Sequence, residues 1–345
     1  MIYAPVFIPT LCRVDKLRKC IESLQRNPYA KYTEIYISLD YPPNEKYRQG
    51  YEQTKEYLRQ RIEGFARVEI LKQKENKGWQ GNYELLRDKV YETHECYIFS
   101  EDDNVFSPNF LEYLDRCLTE FEHDEDILSV SGYSYPLDWQ AGENNVVKVN
   151  SYFSAWGYGT WKKKEEAMLE AINLDNFESQ MRNPATMRRL YHSGKNQYCN
   201  FVKGMIGYTD MLFEDGEVIS VDLSDALYQI FNGKYTIFPT ISKVRNMGYG
   251  GDGVHCAVME VKEGEAVNHR NYSYDQQPID ESLQFEKIIV KEVDETERLN
   301  RLMEEFFTVS TREIVASRIA QFICHIGGRG LLMKLLEKRR RKCEI

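Results

Sequence analysis

Over residues 1–130 the hydrophobic period switches repeatedly, short apolar runs alternating with stretches of helical spacing. Tyr3 to Ile8 reads as a buried strand ending at Pro9, and after Asp15 the residues Leu17, Cys20, Ile21 and Leu24 recur at helical spacing. Glu34 to Leu39 is the next strand, closed by Asp40 and the breaker Tyr41-Pro42-Pro43. The pattern then predicts a helix over 45–62, a strand over 68–71, a helix over 80–91 and a strand over 96–99. Ser107-Pro108 predicts a helix start, Ser as cap and Pro at the first helical position, with Phe110, Leu111, Leu114 and Leu118 on its apolar side. A further strand fits Ile127 to Val130. Strands alternating with helices imply βαβ units, hence an α/β fold with a mostly parallel sheet flanked by helices. Ligands of such sheets sit beyond the carboxyl ends of the strands. That rule singles out the loops at Pro9–Arg13, Asp40, Lys77–Asn82 and Glu101–Asn104.

Beyond residue 135 the pattern is less regular. Gly-rich and aromatic stretches occur at Trp156–Trp161 and Asn246–Cys256, and from Gln284 onward the chain reads as helical and charged. A charged content of 29% with 42% hydrophobic residues excludes a disordered chain, and a net charge of -9 argues against a nucleic-acid binder. The eight cysteines form no CxxC pair and no zinc spacing, which points to a reducing, cytoplasmic setting without structural disulfides. The start, Met1 to Ile8, has neither the basic opening nor the apolar length of a signal peptide, and no run reaches the ~18 apolar residues of a spanning helix.

Glu101-Asp102-Asp103 directly follows the strand Cys96–Phe99. Three adjacent carboxylates repel one another unless a cation, hydrogen-bond donors or solvent compensate them. A hard divalent ion that also holds diphosphate oxygens is one compensator; a solvated acidic turn is the other reading. Arg13, after the first strand, is in place for a phosphate or is a surface arginine. Asp40 either accepts an N–H from a uracil ring or serves the turn before Pro42-Pro43. The loop Asn76-Lys77-Gly78-Trp79-Gln80-Gly81-Asn82 either approaches a nucleotide or caps the next helix.

As an ordered set these stretches resemble the GT-A glycosyltransferases, in particular the N-acetylglucosaminyltransferase I type and related bacterial polysaccharide glycosyltransferases. The resemblance rests on Val6-Phe7-Ile8-Pro9-Thr10 with Arg13, on Ile37-Ser38-Leu39-Asp40, and on Phe99-Ser100-Glu101-Asp102-Asp103-Asn104. Ala155-Trp156-Gly157-Tyr158-Gly159-Thr160-Trp161 and the stretch from Lys243 to Cys256 extend it, so that it spans residues 1–260. It implies a GT-A catalytic domain over 1–260, with a nucleotide-sugar half (1–135) and an acceptor half (136–260). Residues 261–345 are then a largely helical extension with a basic amphipathic tail.

The resemblance further implies that Asp103 binds Mn²⁺ or Mg²⁺, Asp102 the ribose, Arg13 phosphate and Asp40 uracil, with Glu101 as a supporting carboxylate; Asn82 is placed near the nucleotide by the reading of its loop alone. An inverting transfer needs a carboxylate base; the related enzymes carry an Asp at the start of a helix after the acceptor region, a position that Asp225 resembles best, with Asp222 able to replace it. Both also read as acidic helix caps. His255, among glycines, either completes the metal shell or is structural; Trp156 and Trp161 either form an acceptor platform or belong to the core. The donor implied is a UDP-sugar and the acceptor a glycan or a lipid-linked glycan of capsule or lipopolysaccharide assembly. The lack of an N-terminal anchor suits a cytoplasmic enzyme better than a Golgi one. Ile319, Phe322, Ile323, Ile326, Leu331, Leu332, Leu335 and Leu336 lie among the bases Lys334, Lys338, Arg339, Arg340, Arg341 and Lys342. That mixture reads either as a peripheral contact with the inner face of the membrane or as a packed terminal helix. A nucleotidyltransferase would need a Gly-rich triphosphate loop after the first strand, and Ile8 to Arg13 has no glycine. An inactive glycan-binding or scaffold protein of the same fold is the non-enzymatic alternative.

Overall fold

The computed structural model describes residues 1–209, 212–214, 217–219, 222–248, 267–290 and 296–343. The first half alternates as expected: β1 (Val6–Thr10), α1 (Val14–Gln25), β2 (Glu34–Leu39), α2 (Arg48–Tyr57), β3 (Arg67–Lys72), α3 (Gly78–Tyr91) and β4 (Cys96–Phe99). Then follow β5 (Asn104–Phe106), α4 (Phe110–Glu120), β6 (Ile127–Ser131), β7 (Val146–Val149) and β8 (Tyr158–Trp161). Four helices come next: α5 (Lys162–Ala171), α6 (Leu174–Arg182), α7 (Pro184–Ser193) and α8 (Lys195–Met205). A two-residue pair, β9 (Phe213–Glu214) and β10 (Glu217–Val218), precedes α9 (Asp222–Asn232), β11 (Tyr235–Pro239) and β12 (Val244–Asn246). The described chain ends with α10 (Thr296–Phe306), α11 (Thr311–His325) and α12 (Arg329–Cys343).

Eight strands form one sheet in the order β3-β2-β1-β4-β8-β6-β11-β7. β3, β2, β1 and β4 run parallel, as do β6 and β11, whereas β8 and β7 are antiparallel to their neighbours. The strands near β1 are covered on both faces, and the period-2 alternation sorts their side chains by type. Val6, Ile8, Ile35, Ile37 and Ile98 share an aliphatic core with Leu17, Cys20, Ile21 and Leu24 of α1. Phe7, Tyr36, Tyr97 and Phe99 point to the other face, under Tyr83, Leu86 and Val90 of α3.

Several boundaries differ from the sequence expectation. β1 begins at Val6 rather than Tyr3 and passes through Pro9 to Thr10. Thr10 C=O accepts from Asp40 N on the β2 side and Phe7 C=O from Ser100 N on the β4 side. Pro9 therefore turns its missing N–H toward β4, where pairing with β1 has already stopped at Phe7, so no ladder bond is lost. α4 starts at Phe110, not at Ser107-Pro108. The Ser107 N–H donates to Lys243 C=O, which extends the β5–β12 ladder and keeps Ser107 out of the helix. The stretch 284–290 is not helical; it lies in extended chain, where Ile289 N donates to Asn145 Oδ1 and Phe285 N to Glu112 Oε2.

Part of the section that reads as irregular, from Lys162 to Met205, is helical. Asn183 caps α7 by accepting from Ala185 N (3.0 Å) and Thr186 N (3.3 Å), with Pro184 at its first position. α6 to α9 build a second core around Leu190, Phe201, Val202, Met205 and Leu227, and α11 closes it with Ala320 and Cys324. Elsewhere Lys243 pairs with Asp280 beneath Tyr113 and Phe285. Burial opposes the charge on Asp280, but bonds from Asn109, Lys243 and Ser282 outweigh it and hold the carboxyl at about 2.

Under α3 the aromatic face buries a charge. Glu165 of α5 is 2% exposed. Its Oε1 accepts from Tyr83 (2.9 Å) and Tyr97 (2.8 Å), and its Oε2 from Tyr91 (2.5 Å). Tyr158 OH lies 3.0 Å from both Tyr83 OH and Tyr97 OH. Tyr83 and Tyr97 have committed their hydrogens to Glu165, so Tyr158 must donate to one of them; the network has a single direction, set by the carboxylate. Replacing Glu165 by Leu removes the acceptor of two buried hydroxyls, Tyr83 and Tyr97, and of the half-buried Tyr91 at once. We expect Glu165→Leu to lower stability by about 3 kcal/mol or more, and Glu165→Gln, which keeps one acceptor oxygen, by clearly less. Denaturant unfolding of the two variants beside wild type checks this; equal losses would contradict it.

Candidate functional site

In the order β3-β2-β1-β4, the chain leaves β1 toward β2 and β3 and returns to β4 on the other side. The crevice beyond the carboxyl ends of β1 and β4 is therefore the topological switch point of the sheet. Arg13 comes from the loop after β1 and Glu101-Asp102-Asp103 from the loop after β4, and the two meet there. Arg13 Nη2 binds Asp102 Oδ1, and Arg13 Nη1 lies 2.6 Å from Asp103 Oδ2. Thr10 Oγ1 donates to Asp102 Oδ2 at 2.7 Å. Asp102 and Asp103 are almost completely buried, whereas the Arg13 side chain remains 31% exposed. Burial pulls the Arg13 guanidinium down, but Asp102 and Asp103 outweigh it and raise it above its ordinary value.

The third carboxylate turns elsewhere. Glu101 Oε2 accepts from Asn246 Nδ2 (3.0 Å), which also reaches Asp103 Oδ1 (3.3 Å). Burial, then the charges of Asp103 and Asp222, push the Glu101 carboxyl up to about 8. Asn246 arrives on β12, whose ladder with β5 pairs Asn246 with Asn104 directly behind the triad. Gly248 makes this approach possible: a Cβ there would stand 2.6 Å from Asp103 Oδ2 and 2.8 Å from Asn246 Oδ1. Asn246 escaped the sequence reading because an isolated Asn has no spacing signature; its place in the Lys243–Cys256 stretch was the available hint.

Asp40 and Asn82 lie on the β2 side and are occupied by the fold itself. Asp40 Oδ1 accepts from Tyr41 N and Lys77 N, both at 2.9 Å, and Oδ2 from Asn76 Nδ2 at 2.9 Å. It thereby ties the end of β2 to the entry of α3. Asn82 is 2% exposed, accepts from Ser38 Oγ and donates to Ser38 C=O (3.3 Å), locking α3 onto β2.

On the other side of Glu101 opens a cavity of about 320 Å³. Its apolar wall is aromatic: Trp79, Tyr83, Phe99, Phe153, Trp156 and Tyr158. Its polar wall is three carboxylates, Glu101, Asp222 and Asp225, the last two a helical turn apart at the start of α9. Asp225 is 4% exposed and packed into the wall, while Asp222 is exposed toward the opening. Asp222 Oδ1 accepts from Ala155 N (3.0 Å), which fixes the side chain. The protein walls around the Asp222 carboxylate raise it to about 6. Trp161, by contrast, is a core residue, 4% exposed, donating through its indole N–H to Leu118 C=O; it can form no platform. His255 lies outside the described residues.

Among the described residues no three His, Cys, Asp or Glu side chains converge on one point as a closed protein cage for a metal would require. The donor set is hard oxygen, Asp103 with Glu101 beside it. That set suits an ion carried on phosphate oxygens, which needs only one or two protein carboxylates.

Three comparisons set the chain beside known proteins. A search of curated proteins finds no match. Among solved structures, the chain is similar to the mannosyltransferase PcManGT from Pyrobaculum calidifontis in complex with GDP-Man and Mn²⁺. The two are 13% identical with a TM-score of 0.34, over 49% of this chain and 46% of that one. It is also similar to S. aureus TarS, at 12% identity and a TM-score of 0.33, over 50% of this chain and 30% of that one. The match to TarS 1–349 is 15% identical, with a TM-score of 0.31, over 49% of this chain and 48% of that one. The matched part thus spans less than half the length of each, and no residue role is carried across. Residues 6–201, more than half of the sequence and including β1 to β4 with the carboxylate triad, match the family described as glycosyl transferase family 2, and the chain belongs to that family.

Proposed function

We propose that the protein transfers a sugar from a nucleotide-sugar, with UDP the first nucleotide to test, to a hydroxyl of a glycan or lipid-linked acceptor, with inversion at the anomeric carbon. The observation that supports this reading best is that Asp222, an exposed residue, lines an aromatic cavity beside the buried triad at the switch point. In this reading Asp222 is the general base. Its carboxylate takes the proton of the acceptor hydroxyl as that oxygen attacks the anomeric carbon, and the nucleoside diphosphate leaves from the opposite face. Asp222 is preferred to Asp225 because it is the more open of the two to the cavity. Asp102 and Asp40 are assigned to the ribose and the base of the nucleotide, with Asn82 holding α3 in place beside them. Arg13 is the cation nearest the proposed diphosphate position. A bound Mn²⁺ or Mg²⁺, held by Asp103 with Glu101 in support, would neutralise charge growing on the leaving group.

We also assign the C-terminal helices to an anionic membrane surface. Val315, Ile319, Phe322 and Ile326 recur at helical spacing along and just past α11, and all are exposed; Leu331 and Leu335 continue the run on α12. The opposite side of α11, Ser317, Ala320 and Cys324, is buried. Lys334, Lys338, Arg339, Arg340, Arg341 and Lys342 supply the charge that draws such a surface to phospholipid. No helix among the described residues is long and apolar enough to cross a membrane. In this reading the protein lies at the inner face of the cell membrane, where lipid-linked acceptors are available.

Four outcomes are expected. In thermal-shift measurements, UDP compounds raise the melting temperature of wild type only with Mn²⁺ or Mg²⁺, and Asp103→Ala loses the effect, since only a ligand of the folded state stabilises it; no shift with UDP, GDP or CDP would overturn the nucleotide site. Asp222→Asn retains the nucleotide shift but loses turnover by about 10²-fold or more. In wild type, log(kcat/KM) falls as pH drops through about 6, because Asp222 must be ionised to accept a proton and its pKa is raised; Glu101 from the β4 end and Asp225 on the same helix face it. A profile flat between pH 5 and pH 7 would exclude Asp222 as the base. Phe322→Glu with Ile326→Glu is expected to abolish co-sedimentation with phosphatidylserine vesicles while leaving the melting temperature in place, and unchanged co-sedimentation would remove the lipid assignment.

A further inference from the structure

The wall of the cavity contains an exposure that neither the fold nor the metal site explains. Trp79, in the first turn of α3, is 50% exposed although it lines the cavity. Its ring is stacked on Tyr83, with 5.7 Å between centroids and 14° between planes. Tyr83 is 8% exposed, and its hydroxyl is held by the buried Glu165, so the ring behind Trp79 cannot turn. Glycine at position 78, at φ +70, turns the chain just ahead of the indole and has no atom within 4 Å of where a Cβ would stand. The indole is thus supported on one side and open on the other. A flat, apolar, pre-set surface of this kind loses little freedom on binding. Across the cavity stand the carboxylates of Glu101, Asp222 and Asp225, all acceptors for hydroxyl hydrogens. None of the described lining residues is basic.

We propose that Trp79 is the stacking platform for the acceptor sugar and that the cavity selects an uncharged pyranose. The proposal rests on the transferase reading and names its acceptor class. A pyranose has an apolar C–H face and a rim of hydroxyls, which match the indole and the carboxylates respectively. A uronate or sialate would bring its negative charge against the carboxylates of Asp222 and Asp225, with no basic side chain among the described lining residues to offset it. The open indole face also suits a nucleobase. The cavity position favours sugar, because Trp79 shares it with Asp222, where the acceptor hydroxyl must lie.

The test is saturation-transfer NMR and titration calorimetry on the full chain with methyl glucoside, methyl N-acetylglucosaminide and methyl glucuronide, with UDP and Mn²⁺ titrated separately. At least one uncharged glycoside is expected to bind about tenfold more tightly than the glucuronide. Trp79→Ala weakens that binding about tenfold, the size of a lost stacking contact; Trp79→Phe restores most of it, and the UDP affinity moves less than about twofold. The proposal is overturned if the glucuronide binds equally well, if no glycoside binds, if Trp79→Ala leaves sugar binding unchanged, or if it weakens UDP instead. The two readings fail separately. Trp79-dependent sugar binding without any nucleotide binding removes the transferase and keeps the subsite; nucleotide binding with sugar affinity indifferent to Trp79 does the reverse.

Discussion

Two buried carboxylates and one arginine at the crevice between β1 and β4 are the constraint on which the site depends. Asp102 and Asp103 would repel each other at this depth without compensation, and Arg13 spans both. The pairing exists only because β1 and β4 are neighbours in the sheet, so that loops far apart in sequence open onto one crevice. It also explains why Asp102 tolerates burial that would otherwise neutralise it; its carboxyl is raised by burial, with Arg13 and Thr10 opposing.

The second organising element is the buried Glu165. An isolated carboxylate at this depth is costly, and three tyrosine hydroxyls with the nearby Arg87 charge compensate it. The consequence reaches the surface. Tyr83 and Tyr158, fixed by this network, are also cavity walls, and Trp79 rests on one of them. Rigidity deep in the aromatic face thus becomes shape at the opening. α9 contributes the opposite wall, and the helical core of α6 to α8 holds α9 in place. The same core anchors one side of α11 and leaves the apolar stripe on its other side uncovered.

The order of strands and helices through β6, except the short β5, together with the carboxylate triad and the loops that carry Arg13 and Asp40, was legible in the sequence, because each is local: a hydrophobic period, a breaker, or a run of like charges after a strand. Boundaries slipped where tertiary bonds overrode a local signal, as when Ser107 joined the β5–β12 ladder through its N–H and turned its Oγ to Asn109 Oδ1 rather than cap α4. The helices α5 to α8 were missed because buried polar residues and aromatics blur their period, although Asn183-Pro184 marked the start of α7.

What only the tertiary structure decided is which side chains share a space. Asn246 meets Glu101 across 145 positions of sequence, and Asp222 shares a cavity with Trp79. The same packing buries Trp161, leaves Trp156 on the cavity wall, and leaves Asp222 more open than Asp225. Residue type and spacing carry the chemistry available to a chain, because ionisation and hydrogen bonding are properties of single groups. Burial, partner and direction belong to the packed sheet and helices, because they depend on neighbours that the chain reaches only by folding.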